Sequence, residues 1–263
     1  MKLYICTNSS SELHRASARA CIEKLCGNCR ASFSMPPDDC RNLYDGSDRY
    51  AGTPDGCDYI VGIGGDGTLL RAAQAALTVR KPLLGINNGR LGYLCAAGMA
   101  DVQRFDEHTF EKMPHTEQTL LSCTVGDRSY TALNDVVVTK TNMGVSVQLE
   151  VHFGGNILAQ WRCDGVIIST PTGSTAYNHS AGGPKLLGNV PCFAVTPICP
   201  HNGGTHSIVV RDCDPVTVVI TERTNKRGYV YADGVLCGEI NRTVTIGKAA
   251  ETLTLLTRDP SWI

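Results

Sequence analysis

Asp66 stands where an acid is least expected. The stretch Tyr59-Ile60-Val61-Gly62-Ile63-Gly64-Gly65-Asp66-Gly67-Thr68 crowds four glycines into a turn, and Leu69 to Leu77 follows with no helix breaker. Tyr59 to Ile63 is apolar and partly β-branched, as in a buried parallel strand. The Ala/Leu-rich run reads as a helix capped near Thr68. Strand, glycine turn and helix together aim backbone N–H groups and a helix N-terminus at a phosphate, so Gly64, Gly65, Gly67 and Thr68 form the expected phosphate loop. A carboxylate in that loop repels a phosphate unless it meets a cation or takes a proton from a hydroxyl beside the phosphates. That is phosphoryl-transfer chemistry, with Asp66 as its candidate catalytic group.

Gly62, Gly64 and Gly67 also satisfy G-x-G-x-x-G, but no acid lies between Asp66 and Asp101 to hold a ribose, which argues against a dehydrogenase. The P-loop, H-E-x-x-H and G-x-S-x-G signatures are absent. A second constellation runs from Arg162 to Ser180: Arg162-Cys163-Asp164-Gly165, a β-branched run, then Ser169-Thr170-Pro171-Thr172-Gly173-Ser174-Thr175-Ala176-Tyr177-Asn178-His179-Ser180. The five hydroxyls around Pro171 and Gly173, with the N–H groups there, could meet a purine edge and a ribose, and Tyr177 offers a ring for stacking. Arg162 is a candidate phosphate partner and Asp164 a candidate for a ribose or amide group. Asn134-Asp135 opens another β-branched run and by itself signals a turn.

These groups need elements to hold them. Lys2 to Thr7 reads as a strand, Ser9-Ser10-Ser11-Glu12 opens a helix to about Leu25, and Arg30 to Met35 suits a short strand. Pro36 to Pro54 is rich in Asp, Gly and Pro and reads as loop. Pro82 to Asn87 is another buried strand, and alternating strands and helices call for a parallel sheet with ligands at the strands' carboxyl ends. After a helix at Asp101 to Phe110 the texture turns to β. Strands are expected at Leu120 to Val125, Tyr130 to Lys140, Val145 to Phe153, Asn156 to Trp161 and Gly165 to Ser169, then a helix near Ser174 to Ala181. Further strands fall at Cys192 to Ile198, Ser207 to Arg211, Val216 to Thr221, Gly228 to Tyr231, Thr243 to Ile246 and Thr252 to Thr257. The economical division is an α/β domain over 1–100 and a β-rich domain over 101–247, with 248–263 returning to the first.

Composition narrows the class. With 42% hydrophobic and 19% charged residues the chain is that of a soluble globular protein. A net charge of -1 gives no global field for nucleic acid or an anionic membrane. The N-terminus lacks a signal-peptide core and no apolar run is long enough to span a bilayer, which points to the cytoplasm. Thirteen cysteines, an odd and scattered set, suit reduced thiols used as small hydrophobes. Cys26 and Cys29 form a lone C-x-x-C with Cys21 and Cys40 nearby, too little for an expected metal site, and no protein-held metal is expected elsewhere.

Taken together, GGDGT at Gly64 to Thr68, GINNGRLGYL at Gly85 to Leu94, LNDVV at Leu133 to Val137 and DGVIISTPTGSTAYNHSAGGP at Asp164 to Pro184 resemble the NAD kinase family. GGDGT alone is shared with lipid kinases and, more loosely, with phosphofructokinases; STPTGSTAY is the specific part. The resemblance implies a Rossmann-like N-terminal α/β domain and a C-terminal β-sandwich-like domain. It implies transfer of the γ-phosphoryl of ATP (or of polyphosphate) to the 2′-hydroxyl of NAD's adenosine ribose, with a divalent metal, Mg²⁺ foremost. By carry-over Asp66 accepts the proton and, with Gly67, lies beside NAD. Asn134 and Asp135 bind the adenosine, and Arg162 and Asp164 act nearby. Thr175, Ala176, Tyr177 and Ser180 cradle the adenine. The family's habit is a homodimer or homotetramer. Where it carries Asp-Gly-Gln this chain has Asp233-Gly234-Val235, so Asp233 stands as a further substrate contact and the amide at 235 is missing. A lipid or sugar kinase sharing the loop, and a silent dinucleotide binder, are the rival readings.

Overall fold

The structure is a computed structural model that describes residues 1–8, 11–88, 94–142, 144–188, 190–201, 206–221 and 227–258. The chain divides into two compact units, Met1–Glu117 with the returning segment from Leu253, and Gln118–Thr252. These boundaries differ from 100/101 and 247/248, because the strands His115–Val125 and Thr243–Leu256 each run unbroken across a boundary that a change of texture cannot see.

The first unit is α/β. Its elements are β1 (Lys2–Thr7), α1 (Glu12–Asn28), β2 (Ser32–Ser34), α2 (Pro37–Leu43), β3 (Tyr59–Ile63), α3 (Asp66–Val79), β4 (Leu83–Asn87), β5 (Ala97–Gly98) and α4 (Thr109–Lys112). Strand pairing is parallel in the order β2, β1, β3, β4, and β4 also pairs with β5 and with Leu255 and Leu256 of the returning chain. Leu3, Ile5, Val61, Ile63, Leu84 and Ile86 form a buried layer against Ala18, Ile22 and Leu25 of α1. The helix α1 starts where Ser11 accepts a hydrogen bond from the His14 amide, as an N-cap should; Ser9 and Ser10 lie outside the described residues.

Two expectations in this unit need correction. Pro36 to Pro54 is not all loop: α2 forms with Pro37 in its first turn and Asp38 and Asp39 at its positive end, a proper helix start. Asp101 to Phe110 is not one helix but a 3₁₀ turn, Asp101–Arg104, and the short α4. Asp106 separates them, accepting from the His108 amide and from the Thr109 hydroxyl, a local bond that competes with helix.

The second unit is antiparallel β. It holds β6 (His115–Val125), β7 (Arg128–Ala132), β8 (Asp135–Lys140), β9 (Val147–Phe153), β10 (Asn156–Cys163), β11 (Gly165–Ser169), α5 (Tyr177–Ser180), β12 (Cys192–Ile198), β13 (Ile208–Arg211), β14 (Val216–Ile220), β15 (Arg227–Ala232), β16 (Val235–Asn241) and most of β17 (Thr243–Leu256). One sheet runs β13-β12-β11-β8-β15-β16, and the other contains β10-β9-β14-β17. Val136, Val138, Val166, Ile168, Phe193 and Val230 of the first share a core with Leu149, Val151, Val218 and Ile246 of the second, a sandwich-like arrangement. The expected strand Tyr130 to Lys140 breaks at Leu133 and Asn134, and the two expected strands after Thr243 are one. The strand β16 was not anticipated, although Asp233-Gly234 between β runs is a strong hairpin signal.

Candidate active site

In the first unit the chain leaves β3 through Gly64 and Gly65 directly into α3. A Cβ on Gly64 would lie 2.6 Å from the Thr68 hydroxyl, so only glycine lets the turn close over Thr68. The N-cap is Gly65, not Thr68 as the sequence suggested: Thr68 is buried inside the first turn, and its amide donates to the Gly65 carbonyl at 2.9 Å. Asp66 is therefore the first helical residue. Gly65, Asp66 and Gly67 are exposed, and the Asp66 carboxylate bonds no described residue. An unpartnered acid thus sits where a helix offers N–H groups and the positive end of its dipole.

The loop opens on a cavity of about 560 Å³ whose lining includes Thr7, Asn42, Asp66, Gly67 and Arg71. Arg71 lies about one and a half turns beyond Asp66 on α3. Its guanidinium donates to both oxygens of Asp39, at 3.1 and 3.3 Å, and to the Thr7 carbonyl at 2.6 Å. Asp39, from α2, is buried and also accepts the Thr7 amide at 2.8 Å, while half of the Arg71 side chain stays open. A cation is thus fixed in the cavity wall that Asp66 shares, as phosphate binding requires. Sequence reasoning gave neither residue a role. The proline and paired acids at the start of α2 were the available signal.

In the second unit, Asp135 opens β8 and Asn134 stands just before it. The strand-start residue Asp135 is paired with Ser169 of β11 and is buried. Burial, with the charge of Asp233 added, pushes its carboxyl up to about 7. Asp233 itself faces the backbone: its carboxylate accepts the amides of Leu133, Asn134 and Asp135 at 2.7 to 3.3 Å.

The hydroxyl-rich stretch corrects another expectation. Four of its five hydroxyls are buried and bond the protein: Ser169 to the Thr170 carbonyl, Thr170 to the Leu133 carbonyl, Thr172 to the Gln118 amide oxygen, and Ser174 to the Pro171 carbonyl. A buried hydroxyl must find a partner, and the backbone of a tight turn is the nearest. Thr175 is the one left half-buried. The expected helix is split into a 3₁₀ turn, Thr172–Thr175, and α5, with Ala176 between. Asn178 fastens α5 from below: fully buried, it donates to the Ser174 and Pro184 carbonyls and accepts from Thr196. Tyr177 is thereby presented with 46% of its surface exposed, in the charge field of Asp135 and Asp164. Ser180 is exposed on the same short helix.

Asp164 is not free; Lys140 donates to it at 2.5 Å. Arg162, exposed at the end of β10, lines a basic cavity of about 460 Å³ with Lys140, His201 and Arg227. Elsewhere, burial lifts the thiols of Cys21, Cys26 and Cys29 to about 12, 11 and 11, and Cys40 donates to the Ser47 carbonyl.

The chain is similar to known proteins over most of its length. Residues 3–113 match the model of the ATP-NAD kinase N-terminal domain, and residues 133–255 that of the C-terminal domain. The NAD kinase of Symbiobacterium thermophilum is 38% identical over 210 residues, covering 76% of this chain and 73% of that one. The chain belongs to the NAD kinase family. The NAD kinase of Chloroherpeton thalassium is likewise 38% identical, over 77% of this chain and 73% of its own length. An NAD kinase from Archaeoglobus fulgidus, solved in complex with ATP, superposes with a TM-score of 0.77 at 25% identity, covering 100% of this chain and 96% of that one. Yeast NADH kinase complexed with NADH has the same fold, with a TM-score of 0.84 at 20% identity, covering 98% of this chain and 84% of that one. These relatives favour neither rival reading, the lipid or sugar kinase or the silent binder.

As an NAD kinase family member, the chain gathers its predicted residues in two sets. Gly64, Gly65, Asp66, Gly67 and Thr68 belong to the first unit, and Asn134, Asp135, Arg162, Asp164, Thr175, Ala176, Tyr177, Ser180 and Asp233 to the second. Of GINNGRLGYL, residues 89–93 lie outside the described residues. Among the described residues no helix is long and apolar enough to cross a membrane.

Proposed function

We propose that this member of the NAD kinase family transfers the γ-phosphoryl of ATP to the 2′-hydroxyl of NAD's adenosine ribose, with Asp66 accepting the hydroxyl proton. One observation carries that role: an exposed carboxylate, unpartnered among the described residues, at the first position of a helix whose N-terminus and neighbouring Arg71 suit phosphates. The 2′-oxygen forms the new P–O bond, the γ-phosphorus loses its bond to the β-phosphate oxygen, and ADP leaves. The proton passes to Asp66. Phosphoryl transfer has a loose transition state, so the carboxylate acts as much by orienting the hydroxyl as by removing its proton.

The other residues bind. The amides of Gly65 and Gly67 and the Arg71 guanidinium hold phosphate oxygens. Asn134 and Asp135 hold the adenosine ribose, Tyr177 stacks on adenine, and Thr175, Ala176 and Ser180 close the base pocket. Arg162, in its basic cavity, meets an anionic part of the dinucleotide, and Asp164, with Lys140, borders the base. The described residues hold no group of three or more His, Cys, Asp or Glu side chains placed for a metal. Mg²⁺ would arrive on the triphosphate and would neutralise charge on the phosphates, with the Asp66 carboxylate among the protein oxygens that line the same cavity. A soluble cytoplasmic dimer or tetramer completes the reading.

The test is Asp66→Asn, assayed for NADP formation with ATP, magnesium and NAD saturating. Turnover should fall by about 10²–10⁴-fold, the usual worth of a general base. Because Asp66 is exposed and bonds no described residue, unfolding should shift by less than about 1 kcal/mol, the loss of a helix-dipole charge. Near-normal turnover would reduce Asp66 to a turn residue.

A further inference from the structure

Asn134 is gripped from two sides. On its carbonyl side the Thr170 amide donates to the Asn134 oxygen at 2.9 Å and the Thr170 hydroxyl donates to the Leu133 oxygen at 2.6 Å. Gly173 presses so close that a Cβ there would lie 2.0 Å from the Asn134 oxygen. On its amide side a single carboxylate closes the grip. Asp233 Oδ2 accepts from Leu133 N at 2.8 Å, and Oδ1 accepts from Asn134 N at 2.7 Å and Asp135 N at 3.3 Å. The Asp233 amide returns a bond to the Asp135 carbonyl at 3.0 Å. The Leu133 and Asn134 amides lie between β7 and β8, and the Asp135 amide is the first of β8.

A bland account exists for Asp233. With Gly234 it forms the two-residue loop between β15 and β16, with φ of +48° and +79°, the left-handed pair of a type I′ turn. That turn takes Asn-Gly at least as readily, so it does not explain a carboxylate. A charge at this place also stands against the buried Asp135, which makes a turn-only role a poor reason to keep it.

We propose that Asp233 is a positioning residue for NAD: through three backbone amides, and not by touching the substrate, it holds Asn134 and Asp135 in the pose that meets the adenosine ribose. This rests on the assignment of Asn134 and Asp135 to NAD. It also accounts for the missing amide at 235, since the aspartate of this motif serves the backbone while Val235 points to solvent, 66% exposed.

Asp233→Asn keeps the turn and loses the charge, and Asp233→Gly keeps the turn and loses the side chain. For both, steady-state KM values and equilibrium NAD titrations are measured from pH 5.5 to 8.5 beside the wild type. The KM for NAD should rise about tenfold in Asp233→Asn and further in Asp233→Gly, the scale of a lost charge-assisted hydrogen bond. The KM for ATP should stay level. A second readout is one that turn geometry alone does not move. The titratable groups facing the Asp135 carboxyl are Asp233 and, from α5, the Tyr177 phenol, whose pKa is raised by burial so that it stays neutral over this range. Ribose hydroxyls donate to the ionised form, so wild-type affinity should rise with pH through about 7. Removing the Asp233 charge should move that midpoint to lower pH. A wild type that turns over NAD, beside variants with unchanged NAD KM and an unmoved midpoint, overturns the proposal. A wild type that makes no NADP overturns instead the reading it rests on.

Discussion

Asp135→Asn should make the protein more stable than the wild type, by a margin that grows as the pH rises from about 4 to about 7. The carboxyl is 5% exposed and faces Asp233 across the start of β8. Burial first, and then the Asp233 charge, carry it from an ordinary 3.8 to about 7. With Asp233 bonded to three amides, the proton of the pair belongs on Asp135. The native state therefore binds this proton more tightly than the unfolded chain, which adds stability that is fully present below pH 3.8 and is lost as pH rises to about 7. The whole swing is on the order of 4 kcal/mol by linkage. Asparagine has the shape of the protonated acid and never ionises. Other groups titrate alike in both proteins, so the difference between them isolates Asp135. Chemical denaturation at pH 5 and pH 8 reads it: a variant more stable by roughly 1–2 kcal/mol at pH 5 and by roughly 4 kcal/mol at pH 8, with NAD binding nonetheless impaired. A gap that is equal at both pH values, or larger at pH 5, would refute the reasoning.

Tyr177→Ala should raise the KM for NAD by the equivalent of about 1–3 kcal/mol, the worth of stacking on a base, with little change in melting temperature because the ring is half exposed. A lowered melting temperature with an unchanged KM would make Tyr177 a core residue. Gly173→Ala forces a methyl into the Asn134 carbonyl and should cost roughly 1–3 kcal/mol or more of stability while weakening NAD, checked by denaturation and by titration. Arg71→Ala leaves the buried Asp39 without its guanidinium, so stability should fall by roughly 1–3 kcal/mol and the kcat/KM for ATP should fall with it. Arg71→Lys should restore more of the stability than of the kcat/KM, since a point charge cannot reproduce the fork.

The residues proposed to do chemistry could be picked out from the chain because each lies inside a short contiguous run. Asp66 announces itself by being acidic within a glycine loop between a strand and a helix, all within about 20 residues, a range over which local propensity and turn sterics decide structure. The same holds for Asn134-Asp135 and for the run into Tyr177, and the α/β then β order follows from periodicity. Position along the chain could not say how those runs are held. Arg71 is fixed by Asp39, 32 residues earlier, and Asn134 by Asp233, 99 residues later. The hydroxyls from Ser169 onward looked like ligand donors because a sequence displays a side chain without its burial; folding sealed four of them against the protein itself. A buried polar group must be satisfied by whatever lies next to it in space, and that neighbour is set by strand register and loop closure, not by local sequence. Asp135 ends with a carboxyl near neutrality for the same reason: its charge is ordinary in the unfolded chain and becomes costly only when β8, β11 and the β15–β16 turn close around it.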